Sequence, residues 1–185
     1  MQQDNAAPSG LTSLRLANEA DLPALKILMH DAIHQLQADV LNPAQIKASS
    51  AFMGLDRQLV IDRTYFVATI DGALAGCGGW SRRATLYGGD HSAGLREPRL
   101  LDPRSEPARM RAMYTSPGHT RRGVGRAILA ECERSAQAEG FASAELMATM
   151  SGLPLYLAAG YAIIEELVDD RGGTPVPLRR MRKLF

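Results

Sequence analysis

Cysteine is almost absent from this chain. Only Cys77 and Cys132 occur in 185 residues, with no CxxC pair, and His30, His34, His91 and His119 never stand at a metal-ligand spacing with them. That excludes a disulfide framework and a cysteine–histidine metal site, and it points to a reduced, metal-free, cytoplasmic protein. Long apolar runs are missing as well: none reaches the roughly 18 residues of a membrane span. The opening MQQDNAAPSG lacks the basic start and apolar core of a targeting segment. Neither sign of charge dominates, since 21 Lys and Arg face 20 Asp and Glu for a net +1. No global field therefore argues for nucleic acid or a membrane surface as a partner. Repeats and low-complexity tracts are also lacking.

What is present, 45% hydrophobic and 22% charged residues, is the composition of a globular protein with a substantial core. Residues 1–10 read as a disordered lead-in and 11–185 as a single domain. Residues 11–17 alternate like a strand, and Asn18 precedes Asp21 at capping-box spacing. A helix is predicted next, with Leu22, Leu25, Leu28, Met29, Ile33 and Leu36 repeating to about residue 38. Asn42-Pro43 opens a second helix, and 53–63 holds another helical turn or two.

YFVATI and ALAGCGGW flank Asp71-Gly72, the dipeptide of a two-residue hairpin. Residues 81–107 carry Gly88-Gly89, Pro98, Pro103 and Pro107 with little periodicity, which predicts a long loop of the kind that is usually functional or mobile. A strand follows over 107–115, with Met110, Ala112 and Tyr114 expected on one face. Further along come a helix with Val124, Ile128, Leu129 and Cys132 on one face and a stop at Gly140, then a strand at 143–149. A short helix with Pro154 in its first turn, closed by Gly160, and a C-terminal hairpin complete the chain.

The most chemical stretch is HTRRGVGRAILAE, residues 119–131, in which a basic, glycine-containing turn meets a helix N-terminus. The first amides of a helix have no partner and the helix dipole adds positive charge there, so an anion fits. Gly123 and Gly125 allow close approach to the backbone, and Arg121, Arg122 and Arg126 add full charges. The construction suits a phosphate or pyrophosphate. A Walker loop would end in GK[ST], and a dinucleotide fingerprint would need a third glycine where Ile128 stands.

The order of strand 107–115, RRGVGRA loop, helix, strand 143–149 and a short helix carrying Tyr156 before Gly160-Tyr161 resembles the GNAT superfamily of acetyl-CoA-dependent N-acetyltransferases. The resemblance covers roughly residues 11–185 and is sharpest from Arg109 to Tyr161. It implies an α/β (α+β) fold: a mixed, mostly antiparallel central sheet flanked by helices. It also implies acetyl-CoA as cosubstrate, an amine acceptor, direct transfer in a ternary complex and a possible homodimer. Thr120-Arg121-Arg122-Gly123-Val124-Gly125 occupies the family's [Q/R]xxGx[G/A] loop, whose amides cradle the CoA pyrophosphate, and Thr120 departs from the pattern. Met113, Tyr114 and Thr115 would present backbone groups to the pantetheine arm, with the Met113 N–H as oxyanion donor. Tyr156 would be the general acid for the departing sulfur.

An alkylamine near pKa 10.4 is less than about 0.1% uncharged at pH 7, so a proton acceptor is expected. Many family members use a glutamate on the strand before the loop, but the matching position is Arg109. The sequence names no base; Asp90, His91, Glu97 and Glu106 in the long loop are candidates, a water chain to backbone carbonyls would also suffice, and a non-catalytic acyl-CoA-binding regulatory module stays open. Arg82, Arg83, Arg96, Arg99, Arg104, Arg109 and Arg111 outnumber four acidic residues in that region, which either attracts an acceptor with an anionic group or is solvated loop charge. Tyr161 is expected in the core, Trp80 either caps the core, the favoured reading, or lines the acceptor pocket, and neither cysteine is placed to carry an acyl group.

Overall fold

The computed structural model describes residues 13–185. The expected lead-in at 1–10 and the start of the strand expected at 11–17 lie outside the described residues. In chain order the elements are β1 (Ser13–Leu16), α1 (Leu22–Gln35), α2 (Pro43–Ser49), α3 (Arg57–Ile61), β2 (Tyr65–Ile70), β3 (Ala73–Ser81), β4 (Ala108–Thr115), α4 (Val124–Ala138), β5 (Ser143–Thr149), α5 (Leu153–Ala158), β6 (Ala162–Asp169) and β7 (Val176–Leu184). The capping box expected at Asn18 and Asp21 forms, and the cap expected at Asn42 is a second one, closed by Gln45. The β2–β3 turn places Asp71 and Gly72 at φ +50 and +79, the pair of positive dihedrals that lets the right-handed strand twist continue.

The seven strands form one sheet in the order β1-β2-β3-β4-β5-β7-β6, and only β4 and β5 run parallel. Helix α4 covers one face, burying Ile128, Leu129, Cys132 and Ala136 against Phe66, Ala68, Trp80 and Met110. Helix α1 covers the other through Leu25, Met29 and Ile33 on Tyr65, Val67 and Tyr114. Each Leu, Ile, Met, Val or Phe among them contributes about 1.5–3 kcal/mol by leaving water, which is what fixes both helices on the sheet. A third cluster seats Ile46 and Phe52, on and just after α2, against Val176 and Leu178 of β7. Trp80 and Tyr161 are buried in the α4 layer as expected, and Trp80 meets the Phe141 ring edge-on at 5.9 Å.

One expectation fails on β4. The predicted alternation puts Met110, Ala112 and Tyr114 on one face, yet Met110 packs in the α4 layer while Ala112 and Tyr114 pack in the α1 layer. The cause is a bulge: Ala112 and Met113 together face Gly78, and Ala112 sits at φ +49. One extra residue reverses the side-chain direction beyond it. The Tyr65 hydroxyl donates to the Ala112 carbonyl at 2.8 Å, which holds the bulge. The bulge returns Met113 to the α4 layer, where a Cβ on Gly78 would come within 2.2 Å of the Met113 sulfur.

The expected long loop forms between β3 and β4, with one short 3-10 turn at Ala93–Leu95 and an isolated bridge between Arg83 and Leu100. It is tied down by charge. Arg83 donates to Asp62 at 2.7 Å, Arg96 to Asp56 at 2.8 Å, and Arg82 to Glu139.

Candidate active site

The sheet opens at its parallel pair. Strands β4 and β5 are paired only at Ala108–Ala144 and Arg109–Glu145, after which β5 continues along β7 and leaves β4. Arg109 donates to Glu145 at 2.8 Å at that last rung, and Arg180 reaches the same carboxylate at 2.7 Å. The opening therefore begins at a buried ion pair, whose glutamate sequence reasoning did not single out.

A cavity of about 760 Å³ fills the opening. Met113, Tyr114 and Thr115 form one wall, the turn before α4 the second, and Ser151, Gly152, Leu155 and Tyr156 the third. Every predicted cofactor residue lines it except Arg122, which is exposed outside the cavity. Gly123 is the N-cap of α4 at φ +78, ψ 4, and Arg121 stands at φ +59, so the turn before the helix is left-handed at both. Glycine adopts that region freely, whereas Arg121 is held there against its preference. Gly125 also has a packing part. A Cβ there would lie 3.0 Å from Leu155 Cδ2, so the missing side chain seats α4 against α5. His119, considered in the sequence only as a metal ligand, also lines this cavity, and its Nδ1 is buried without a hydrogen-bond partner.

A second, smaller cavity of about 80 Å³ adjoins the larger one. Phe52, Met53, Leu86, Met110, Met147 and Leu178 line it together with the polar side chains of Tyr87, Arg111 and Thr149. Met113, Tyr114 and Tyr156 line both spaces. Tyr156 is 8% exposed, meets Tyr161 edge-on at 6.1 Å, and makes no hydrogen bond through its hydroxyl among the described residues. Burial, aided by the nearby Cys132, holds the Tyr156 phenol well above its usual range, so it stays protonated.

None of the proposed loop bases lines either cavity. Asp90 pairs with Arg96, and His91 contacts the Ser50 carbonyl at 2.7 Å through Nε2. Glu106 accepts from Arg99, which pulls its pKa down to about 2, far below the value useful to a base near pH 7. All seven arginines in question carry carboxylate partners: Arg82 with Glu139, Arg83 with Asp62, Arg96 and Arg111 with Asp56, Arg99 with Glu106, Arg104 with Asp102, and Arg109 with Glu145. Arg111 is the one that reaches a cavity. It donates to the carbonyls of Thr85 and Gly88 at 3.0 and 2.6 Å and to Asp56 at 2.8 Å, with its side chain 2% exposed. No group of three or more His, Cys, Asp or Glu among the described residues could hold a metal, and no helix there is long and apolar enough to cross a membrane.

Comparison with known structures finds the same architecture. A GCN5-related N-acetyltransferase from Rhodopseudomonas palustris is 19% identical, with a TM-score of 0.70 over 95% of this chain and 97% of its own. The PaiA N-acetyltransferase of Thermoplasma acidophilum, solved with coenzyme A, is 15% identical at a TM-score of 0.61 over 94% and 98% of the two chains. YncA of Salmonella typhimurium, solved with acetyl-CoA, is 17% identical at 0.60 over 93% and 92%. No curated protein sequence matches the chain. The model for the acetyltransferase (GNAT) domain matches residues 62–163, which run from the end of α3 through all three walls of the larger cavity into β6. That match spans more than half of the sequence, and the chain belongs to the GNAT family of N-acetyltransferases.

Proposed function

We propose that this enzyme transfers an acetyl group from acetyl-CoA directly to an amine, with both substrates bound at once. The observation that carries this reading is the pair of cavities meeting at one wall made by Met113, Tyr114 and Tyr156. The larger space fits the cosubstrate, because a helix N-terminus with left-handed backbone at Arg121 and Gly123 faces it and Arg121 and Arg126 line it. Acetyl-CoA supplies an electrophilic thioester carbonyl and a sulfur leaving group.

In this reading the backbone of Gly123, Val124 and Gly125, with Thr120, Arg121 and Arg126, holds the pyrophosphate. Arg122 contributes only exposed charge nearby. Met113, Tyr114 and Thr115 hold the pantetheine arm through their backbone. The Met113 N–H, at a bulge fixed by Tyr65, stabilises charge developing on the carbonyl oxygen without reorganising. Tyr156 gives its proton to the sulfur. Burial makes that phenol a weaker acid, but the same burial raises the proton affinity of a thiolate beside it, so the gap between the two does not widen in proportion.

Both cysteines support direct transfer. Cys77 and Cys132 are buried, line neither cavity and are held as thiols, Cys77 by burial that raises it to about 12. Incubation with acetyl-CoA alone should leave the intact mass of the protein unchanged, while an added amine releases thiol. A protein heavier by one acetyl group on either cysteine would replace this mechanism with a covalent one.

The acceptor needs no anionic group in this proposal, since the arginines that might have bound one are already paired. A homodimer belongs to it as well: β6 is the outer strand of the sheet, with Ile163, Ile164 and Val168 exposed along it. Sedimentation should show twice the 20.0 kDa chain mass, and a monomer at all concentrations would remove the dimer.

A further inference from the structure

The smaller cavity holds no residue able to neutralise an ammonium or take its proton. Among the described residues, no Asp, Glu, Lys or His side chain lines it. Arg111 is the single charged lining residue, and its charge is met by Asp56, whose two oxygens are already occupied by Arg111, Arg96 and the Gln58 N–H. Tyr87 donates to Asp169 at 2.8 Å, and that carboxylate also accepts from Arg171. The Tyr114 hydroxyl accepts from the Gly54 N–H at 2.8 Å. In the adjoining cavity the charged lining groups, Arg121 and Arg126, are cations, and His119 is the one imidazole. An ammonium entering the small cavity would gain no counter-charge from its lining, which favours an uncharged amine there.

We propose that the acceptor is a small molecule whose nucleophilic nitrogen is uncharged at neutral pH, of the arylamine, hydrazine or alkoxyamine class. The inference rests on the acetyltransfer reading above. The lining agrees with it: Met53, Met110, Met113 and Met147 surround the space, and thioethers adapt in shape and favour contact with aromatic rings. At about 80 Å³ the space admits a small body.

The step balances without a separate base. The N–C bond forms, the C–S bond breaks, the nitrogen sheds one proton and the sulfur gains one. Tyr156, which lines both cavities and makes no other hydrogen bond through its hydroxyl among the described residues, gives its proton to the sulfur, takes the one leaving nitrogen, and ends as it began.

The test offers aniline, phenylhydrazine and methoxyamine beside benzylamine and butylamine to the full chain, whose acetyl-CoA binding is first measured by calorimetry. Thiol release is followed between about pH 6.5 and 9 and corrected for the reaction without protein. The three weak bases should show a flat kcat/KM over that range. The alkylamines should climb about tenfold per pH unit without a bend from the protein, and at pH 7 should lie on the order of 10²–10³-fold lower. A second readout is binding to the CoA-loaded protein: aniline should bind equally at both ends of the range, and benzylamine about 100-fold more weakly at the acid end.

Alkylamines turned over as fast as the weak bases at pH 7 would overturn the inference. So would a bend that disappears in Tyr87→Phe, or no turnover of any weak base, while leaving acetyl-CoA binding intact. Failure to bind acetyl-CoA would overturn the acetyltransfer reading itself, and this inference with it.

Discussion

Asp56→Ala is expected to lower stability by about 3–5 kcal/mol, because it strands a buried guanidinium. Asp56 and Arg111 have side chains only 1% and 2% exposed, and Asp56 is the carboxylate that Arg111 contacts. Arg96, at 28%, can turn to water when its partner goes; Arg111 cannot. The substitution also removes the N-cap of α3, where Asp56 accepts from the Gln58 N–H at 3.0 Å. For a chain of this size the loss corresponds to a fall in Tm of roughly 6–20 °C. Thermal denaturation measures it, with Asp102→Ala as the control, since its pair with Arg104 is solvated and should move Tm little. The double variant Asp56→Ala with Arg111→Met should recover part of the loss. A single variant as stable as the control would mean that the Asp56–Arg111 pair does not anchor the loop over the small cavity.

That ion pair also shows where sequence reading stops. Local signals were legible because their physics is local: Asp71-Gly72 for positive dihedrals, Asn42-Pro43 for a cap and first turn, and RRGVG for a helix mouth with free amides. Together with the order of the elements they identified the fold and the larger cavity. The bulge at Ala112 was not legible, since the residue at positive φ is an alanine and nothing nearby announces it. Its effect was large, however, because it moved Tyr114 away from the face shared with Met110. The charge pairing was equally hidden. Seven arginines counted as an excess in one stretch find carboxylates that include Asp56, Asp62, Glu139 and Glu145, all outside it, and only the folded chain brings them together. The same holds for the missing base: the loop acids looked available in sequence, and the fold turns each away from the cavities.

The second large effect is expected at Tyr156, where Tyr156→Phe should lower kcat by about 10²-fold or more, the usual worth of a positioned acid. The fold should not confuse the result. The hydroxyl makes no hydrogen bond among the described residues, so its removal leaves no buried group without a partner, and the ring keeps its place against Tyr161. A variant that keeps native turnover would remove Tyr156 from the chemistry and leave it as packing.

The central claim is that the opening between β4 and β5 binds acetyl-CoA and that Tyr156, at its inner wall, acts on the reaction and not on binding. A calorimetric titration with acetyl-CoA, run on the native protein and on Tyr156→Phe beside ATP and NAD, tests it most directly. The account predicts one equivalent of acetyl-CoA bound with equal affinity by both proteins, in the micromolar range or tighter, and neither ATP nor NAD bound comparably. No acetyl-CoA binding by the native protein, or preference for ATP or NAD, would contradict it.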